Sequence, residues 1–235
     1  MTPDVPSDAP LLDPDRARYG QDGLSSAQVD AMLAALDAER AEAGVRERLR
    51  EQPGWARVAG LAGVGAALTL LLVLATGLRP DLQGGEEARL ALILAAFAVA
   101  GVAGLAVAAR GMHQPPMGRR AWGIAALCLG LPVAAGVAPG LMPGIPMPEG
   151  KAWIHLFCFG LAAGVALGVA IAAALLDRSE RPPLWRGLSA AGAGGVLGAL
   201  AILLHCPIAD PLHMLLGHAL PGLVLAGAAV AWLRR

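Results

Sequence analysis

Residues 58–78 read VAGLAGVGAALTLLLVLATGL, a stretch that contains no charge and nothing more polar than two threonines, Thr69 and Thr76. An α-helix rises about 1.5 Å per residue, so about 20 such residues cross a hydrocarbon core of about 30 Å. The many glycines and alanines suit close approach of helices in lipid better than the filling of a bulky core. Five further apolar stretches follow at residues 87–109, 121–137, 152–176, 184–204 and 212–233, the second with its first charged turn at the interface. The third is the weakest. It is short and carries Pro132, whose missing N–H predicts a kink or an early end.

The whole composition agrees with this reading. The chain is 56% hydrophobic and 15% charged, with a mean hydropathy of +0.60, too apolar to cover a soluble domain with polar surface. The predicted fold class is therefore all-α: a polytopic membrane protein with a six-helix transmembrane domain over 57–235. A cytoplasmic helical segment over 25–56 and a disordered tail over 1–24 precede it. The first 50 residues contain no apolar signal region, so the first span is expected to act as its own insertion signal.

Arginines set the predicted orientation. Arg46, Arg48, Arg50, Arg57, Arg110, Arg119, Arg120, Arg178, Arg181, Arg186, Arg234 and Arg235 fall on one side of the six crossings, against Arg79, Arg89 and Lys151 on the other. The positive-inside rule puts both termini in the cytoplasm of a multi-pass protein. Trp55, Trp122, Trp153, Trp185 and Trp232 all lie near predicted span ends, where amphipathic rings prefer the interface. All loops are short, and the longest, 138–151, is rich in Pro and Gly and builds no sizeable outer domain. A soluble partner would be met mainly by the N-terminal segment. Ser25 and Gln28 form a capping box there, and Val29, Met32, Leu33 and Leu36 recur at helical spacing as a partner-binding stripe.

The outward end collects the residues with chemistry. Cys158 falls below the outer end of the fourth span, His155 lies one turn above it, and His205 and Cys206 close the fifth. His213 opens the sixth, with His218 deeper. Three readings stand open: a Cys158–Cys206 disulfide in an oxidising envelope, a soft-metal or sensor site using His155, Cys158, His205, Cys206 and His213, and ordinary buried packing. The spacing matches no standard zinc signature. Cys128, in mid-span, reads as a small packing residue. Among small-residue patterns, Gly160, Gly164 and Gly168 form the clearest ladder, beside Gly60–Gly65 and Gly192–Gly198.

No Asp, Glu, Lys or Arg occupies a span centre, which argues against a carrier, and zinc-protease, P-loop and serine-nucleophile motifs are absent. The expectation is a non-enzyme without a cofactor or direct nucleic-acid contact. A structural or assembly membrane protein is the other class that fits, with self-association an open question.

Two segments look familiar. Ala201-Ile-Leu-Leu-His-Cys-Pro207, followed by Leu215-Leu-Gly-His-Ala-Leu-Pro221, resembles the C-terminal half of the bacterial negative-regulator-of-sigma-F family, six-span inner-membrane anti-sigma factors. The likeness runs through Cys158 and the basic 178–186 loop and covers about Lys151 to Arg235. The chain departs from the family at Ile208, where an acidic residue is usual, and at Leu212, His213 and Met214, where aromatic residues open the last span. The resemblance implies a bacterial inner-membrane protein whose cytoplasmic N-terminal segment sequesters an extracytoplasmic-function sigma factor until an envelope signal releases it.

Overall fold

A computed structural model describes residues 26–42, 51–79, 87–110, 117–138, 142–176 and 182–234. The chain divides into two compact units, residues 1–48 and 49–235. The first contributes one described helix, α1 (Ser26–Glu42). Val29, Met32, Leu33 and Leu36 are all exposed on it, at the i, i+3, i+4, i+7 spacing of one helical face. The expected tail over 1–24, the Ser25 cap and residues 43–50 lie outside the described residues.

The second unit is an all-α bundle of six long apolar helices: α2 (Gly54–Thr76), α3 (Glu87–Ala108), α4 (Arg119–Val137), α5 (Trp153–Leu176), α6 (Leu184–Leu203) and α7 (Pro211–Leu233). Pro53 precedes α2, and Gly77, at φ 82°, turns the chain out of it. The α2 helix begins four residues before the apolar stretch, because hydropathy marks only the hydrocarbon-length portion of a helix that continues through Trp55 and Arg57. The α4 helix passes through Pro132 and reaches Val137, so the early end expected there does not occur. Pro132 is buried, and the helix continues through the turn in which its missing N–H leaves one backbone bond unmade.

Five helices ring a central one. Contacts run from α2 to α3, α3 to α4, α4 to α7, α7 to α5 and α5 back to α2, while α6 touches all five. In its apolar window 78% of α6 is buried, against 17% for α2. A helix enclosed on every side must be thin, since neighbouring axes can approach to about 8–10 Å only where side chains are small. The sequence of α6 meets that demand with Gly192, Ala193, Gly194, Gly195, Gly198 and Ala199. A Cβ on Gly194 would stand 2.6 Å from the Ala166 carbonyl oxygen of α5, and one on Gly195 2.6 Å from Gly222 Cα of α7.

This arrangement corrects the expectation about the glycine ladder. Gly160 and Gly164 face open space, and only Gly168 meets a neighbour, the Leu68 side chain. The ladder on α5 therefore looks away from the centre, and the close-packing role belongs to α6. Two apolar clusters flank α6. Leu61, Leu105, Val165, Val169 and Ile202 form one, and Phe97, Cys128, Val196, Leu203 and Met214 form the other. Cys128 packs as expected, with its thiol donating to the Ala100 carbonyl at 3.2 Å.

Candidate metal centre

The cluster is assembled at the end of the bundle where α6 stops. Leu204 to Asp210 connect α6 to α7, and Asp210 caps α7 by accepting the His213 backbone N–H at 3.0 Å. Pro211 occupies the first turn, where its missing N–H costs nothing. Met214–Ala219 are then wound as a π-helix before α-helix resumes at Leu220. Pro221 cannot donate to the Gly217 carbonyl four residues back, and a widened turn relieves the clash its ring would make there. The widening also changes which residues share a face. In an α-helix, residues five apart point about 140° apart, but i→i+5 bonding brings them much closer together. His213 and His218 thereby turn toward the same point, their ring centroids 5.2 Å apart.

Cys158 arrives from the second turn of α5, and Gly217 admits it. A Cβ at Gly217 would lie 3.1 Å from Cys158 Cβ and 3.4 Å from the His213 ring. The ligand atoms of Cys158, Cys206, His213 and His218 all lie within 4.8 Å of one another, and all four residues are buried. His213 Nε2 is 3.3 Å from Cys206 Sγ, while His213 Nδ1 is 3.2 Å from His155 Nδ1. The neighbouring Cys158 thiol and the His213 imidazole hold the Cys206 thiol well below its ordinary value, against the opposing effect of burial.

These residues fit a soft or borderline metal ion. Two sulfur and two imidazole ligands are a standard tetrahedral set, whose ligand atoms stand about 3.3–3.8 Å apart around zinc, so modest closure completes the geometry. With both cysteines as thiolates a divalent ion leaves the centre neutral, which suits a dry site. The His155 contact can fix the His213 proton on Nδ1 and leave Nε2 to ligate, as outer-shell partners do in metal sites. His218 adds an independent sign. It is 1% exposed, and neither ring nitrogen has a hydrogen-bond partner among the described residues. Such an orphan costs about 1–3 kcal/mol unless something satisfies it.

The cluster is covered. Arg79, also buried, donates from Nη2 to the Pro143 carbonyl at 2.8 Å and from Nη1 to the Leu203 carbonyl at 3.4 Å. Ile145 and Ile208 form an isolated parallel bridge through Ile145 N–H to Pro207 O and Ala209 N–H to Ile145 O, both 2.9 Å. Gly144 permits that approach, since a Cβ there would run into the Pro207 carbonyl oxygen and stand 2.9 Å from Ala209 Cβ. Ile208 is thus the bridge residue through which the 207–209 segment pins the cover.

Of the expected sensor residues, Cys158, Cys206 and His213 converge, and His155 joins from behind His213. His205 does not join them: its Nδ1 instead lies 3.1 Å from the Gly77 carbonyl oxygen. His205 and Cys206 are adjacent, and the chain leaving α6 sends their side chains to different neighbours. Cys158 and Cys206 are free thiols. His218, read from the sequence only as a deeper polar residue, completes the set, and Arg79, read only as a loop charge, clamps the cover. The Pro221 that follows a His-x4-His spacing was the available signal for the first. The chain matches no family model, no curated protein and no solved structure.

Proposed function

We propose that the chain is a membrane-spanning regulator whose Cys158/Cys206/His213/His218 cluster takes up a soft metal ion at the outer face and whose α1 stripe holds an extracytoplasmic-function sigma factor at the inner face. The observation that carries the reading is the convergence of four buried ligand-type side chains from α5, α7 and the loop between α6 and α7. A bundle without a charged span centre offers them no transport path to serve. The partner rests on the resemblance of residues 201–221 to the sigma-F regulators and on the exposed Val29, Met32, Leu33 and Leu36 face, which suits docking of a helix into a groove.

Ligation would draw the four ligand atoms from separations of up to 4.8 Å toward tetrahedral spacing. Cys158 lies on α5 and the histidines on α7, so closure moves these helices against each other and biases a bundle with two arrangements. The test is co-purification of the full-length chain in detergent with the sigma factors encoded beside its gene, with and without cadmium. The expected result is a complex without cadmium that dissociates when cadmium is added, and persists in Cys158→Ser. No complex with any of these sigma factors sinks the partner, and a complex indifferent to cadmium sinks the metal signal.

A further inference from the structure

A cavity of about 330 Å³ opens beside the cluster and is lined by Thr76, Leu78, Trp153, Phe157 and His205 together with the buried Cys158 and Cys206. Neither His213 nor His218 lines it. We propose that this groove is the port through which the metal ion reaches the cluster, and that His205 is the ligand that captures it on the way in; the inference rests on the metal reading above.

The chemistry of His205 supports a capture role. Its Nδ1 lies 3.1 Å from the Gly77 carbonyl oxygen, an acceptor that carries no proton of its own. For a hydrogen bond to form, Nδ1 must hold the proton and donate it. The lone pair of the neutral ring is then on Nε2, the form in which histidine binds metals, with a backbone carbonyl as its orienting partner. His205 is only half-buried, while Cys206, the next residue, is buried within the cluster. An ion shedding water at the rim meets one imidazole, then two sulfurs, and last the enclosed histidines. This order exchanges water for ligands in steps rather than stripping a hydrated cation at the mouth of an apolar groove, where desolvation is costly.

The role separates rate from equilibrium. Full-length protein in detergent, reduced and metal-free, is mixed with cadmium, and cadmium–thiolate absorbance is followed by stopped flow. His205→Ala is expected to load several-fold more slowly and to reach the wild-type final amplitude. Leu78→Trp, which narrows the groove without touching a ligand, is expected to do the same. Wild-type rates in both variants overturn the port. A final amplitude lost in His205→Ala overturns the capture role by making His205 a holding ligand. Absence of any signal in the wild-type protein ends the metal reading itself and the port with it, so the two failures are distinguishable.

Discussion

The histidine at position 218 is an expensive residue to keep where it is. An enclosed imidazole whose nitrogens make no hydrogen bond among the described residues lowers stability by about 1–3 kcal/mol relative to a partnered one, and leucine would fill a similar space without that cost. The metal-free His218→Leu protein is therefore expected to melt at or above the wild-type temperature. Saturating cadmium should raise the melting temperature of the wild type, since a ligand that binds only the folded form stabilises it by mass action, and should do much less for the variant. A clear drop in the metal-free variant would show that His218 is there for packing. Cys206 makes a second prediction at this scale. Its thiol lies below the ordinary range because Cys158 and His213 stabilise its thiolate. As pH rises, the metal-free protein should develop Cys206 reactivity toward iodoacetamide with a midpoint below the ~8.5 of a free cysteine. A midpoint at or above that value contradicts the arrangement.

Among the elements, α6 and α7 do the most with the least bulk. Gly194, Gly195 and Gly198 let five helices surround α6, whereas Gly160 and Gly164, equally regular in sequence, face open space. Gly194→Val is thus expected to destabilise the bundle by about 1–3 kcal/mol, as overpacking does, and Gly160→Val to leave thermal unfolding in detergent nearly unchanged. In α7 the π-helical stretch 214–219 sets the histidines, and Gly217 sets the distance to α5. Gly217→Val would drive α7 away from Cys158. Its expected signature is weakened cadmium binding, measured by titration, with the helical content of the bundle retained.

For the molecule as a whole, six crossings would return the chain to the side from which it started, and the arginine distribution predicts that this side is the cytoplasm. Orientation is checked with single cysteines in a chain whose native cysteines are replaced by serine. Glu149→Cys should react with an impermeant maleimide from outside intact cells, and Arg120→Cys only after permeabilisation. The reverse pattern would put the metal cluster in the cytoplasm and remove the envelope signal. If the proposed sigma-factor capture holds, Met32→Asp with Leu36→Asp should abolish it without altering cadmium binding, because the stripe and the cluster belong to separate compact units. Loss of both together would mean that the substitutions damage the bundle.

Hydropathy and charge, which are sums over local sequence, determined the six spans, the all-α class and the short list of cysteines and histidines at one end. A span must be long and apolar whatever its neighbours are, so each could be read alone. Which helix stands at the centre was decided only by tertiary structure: several spans carry glycines, and their lateral order depends on how all six surfaces fit together. The same holds for the site. Adjacent His205 and Cys206 part company, while His218 joins across a π-turn and Arg79 folds over the loop that covers them. Ligand geometry depends on where backbones from distant parts of the chain come to lie, and that position is set by packing.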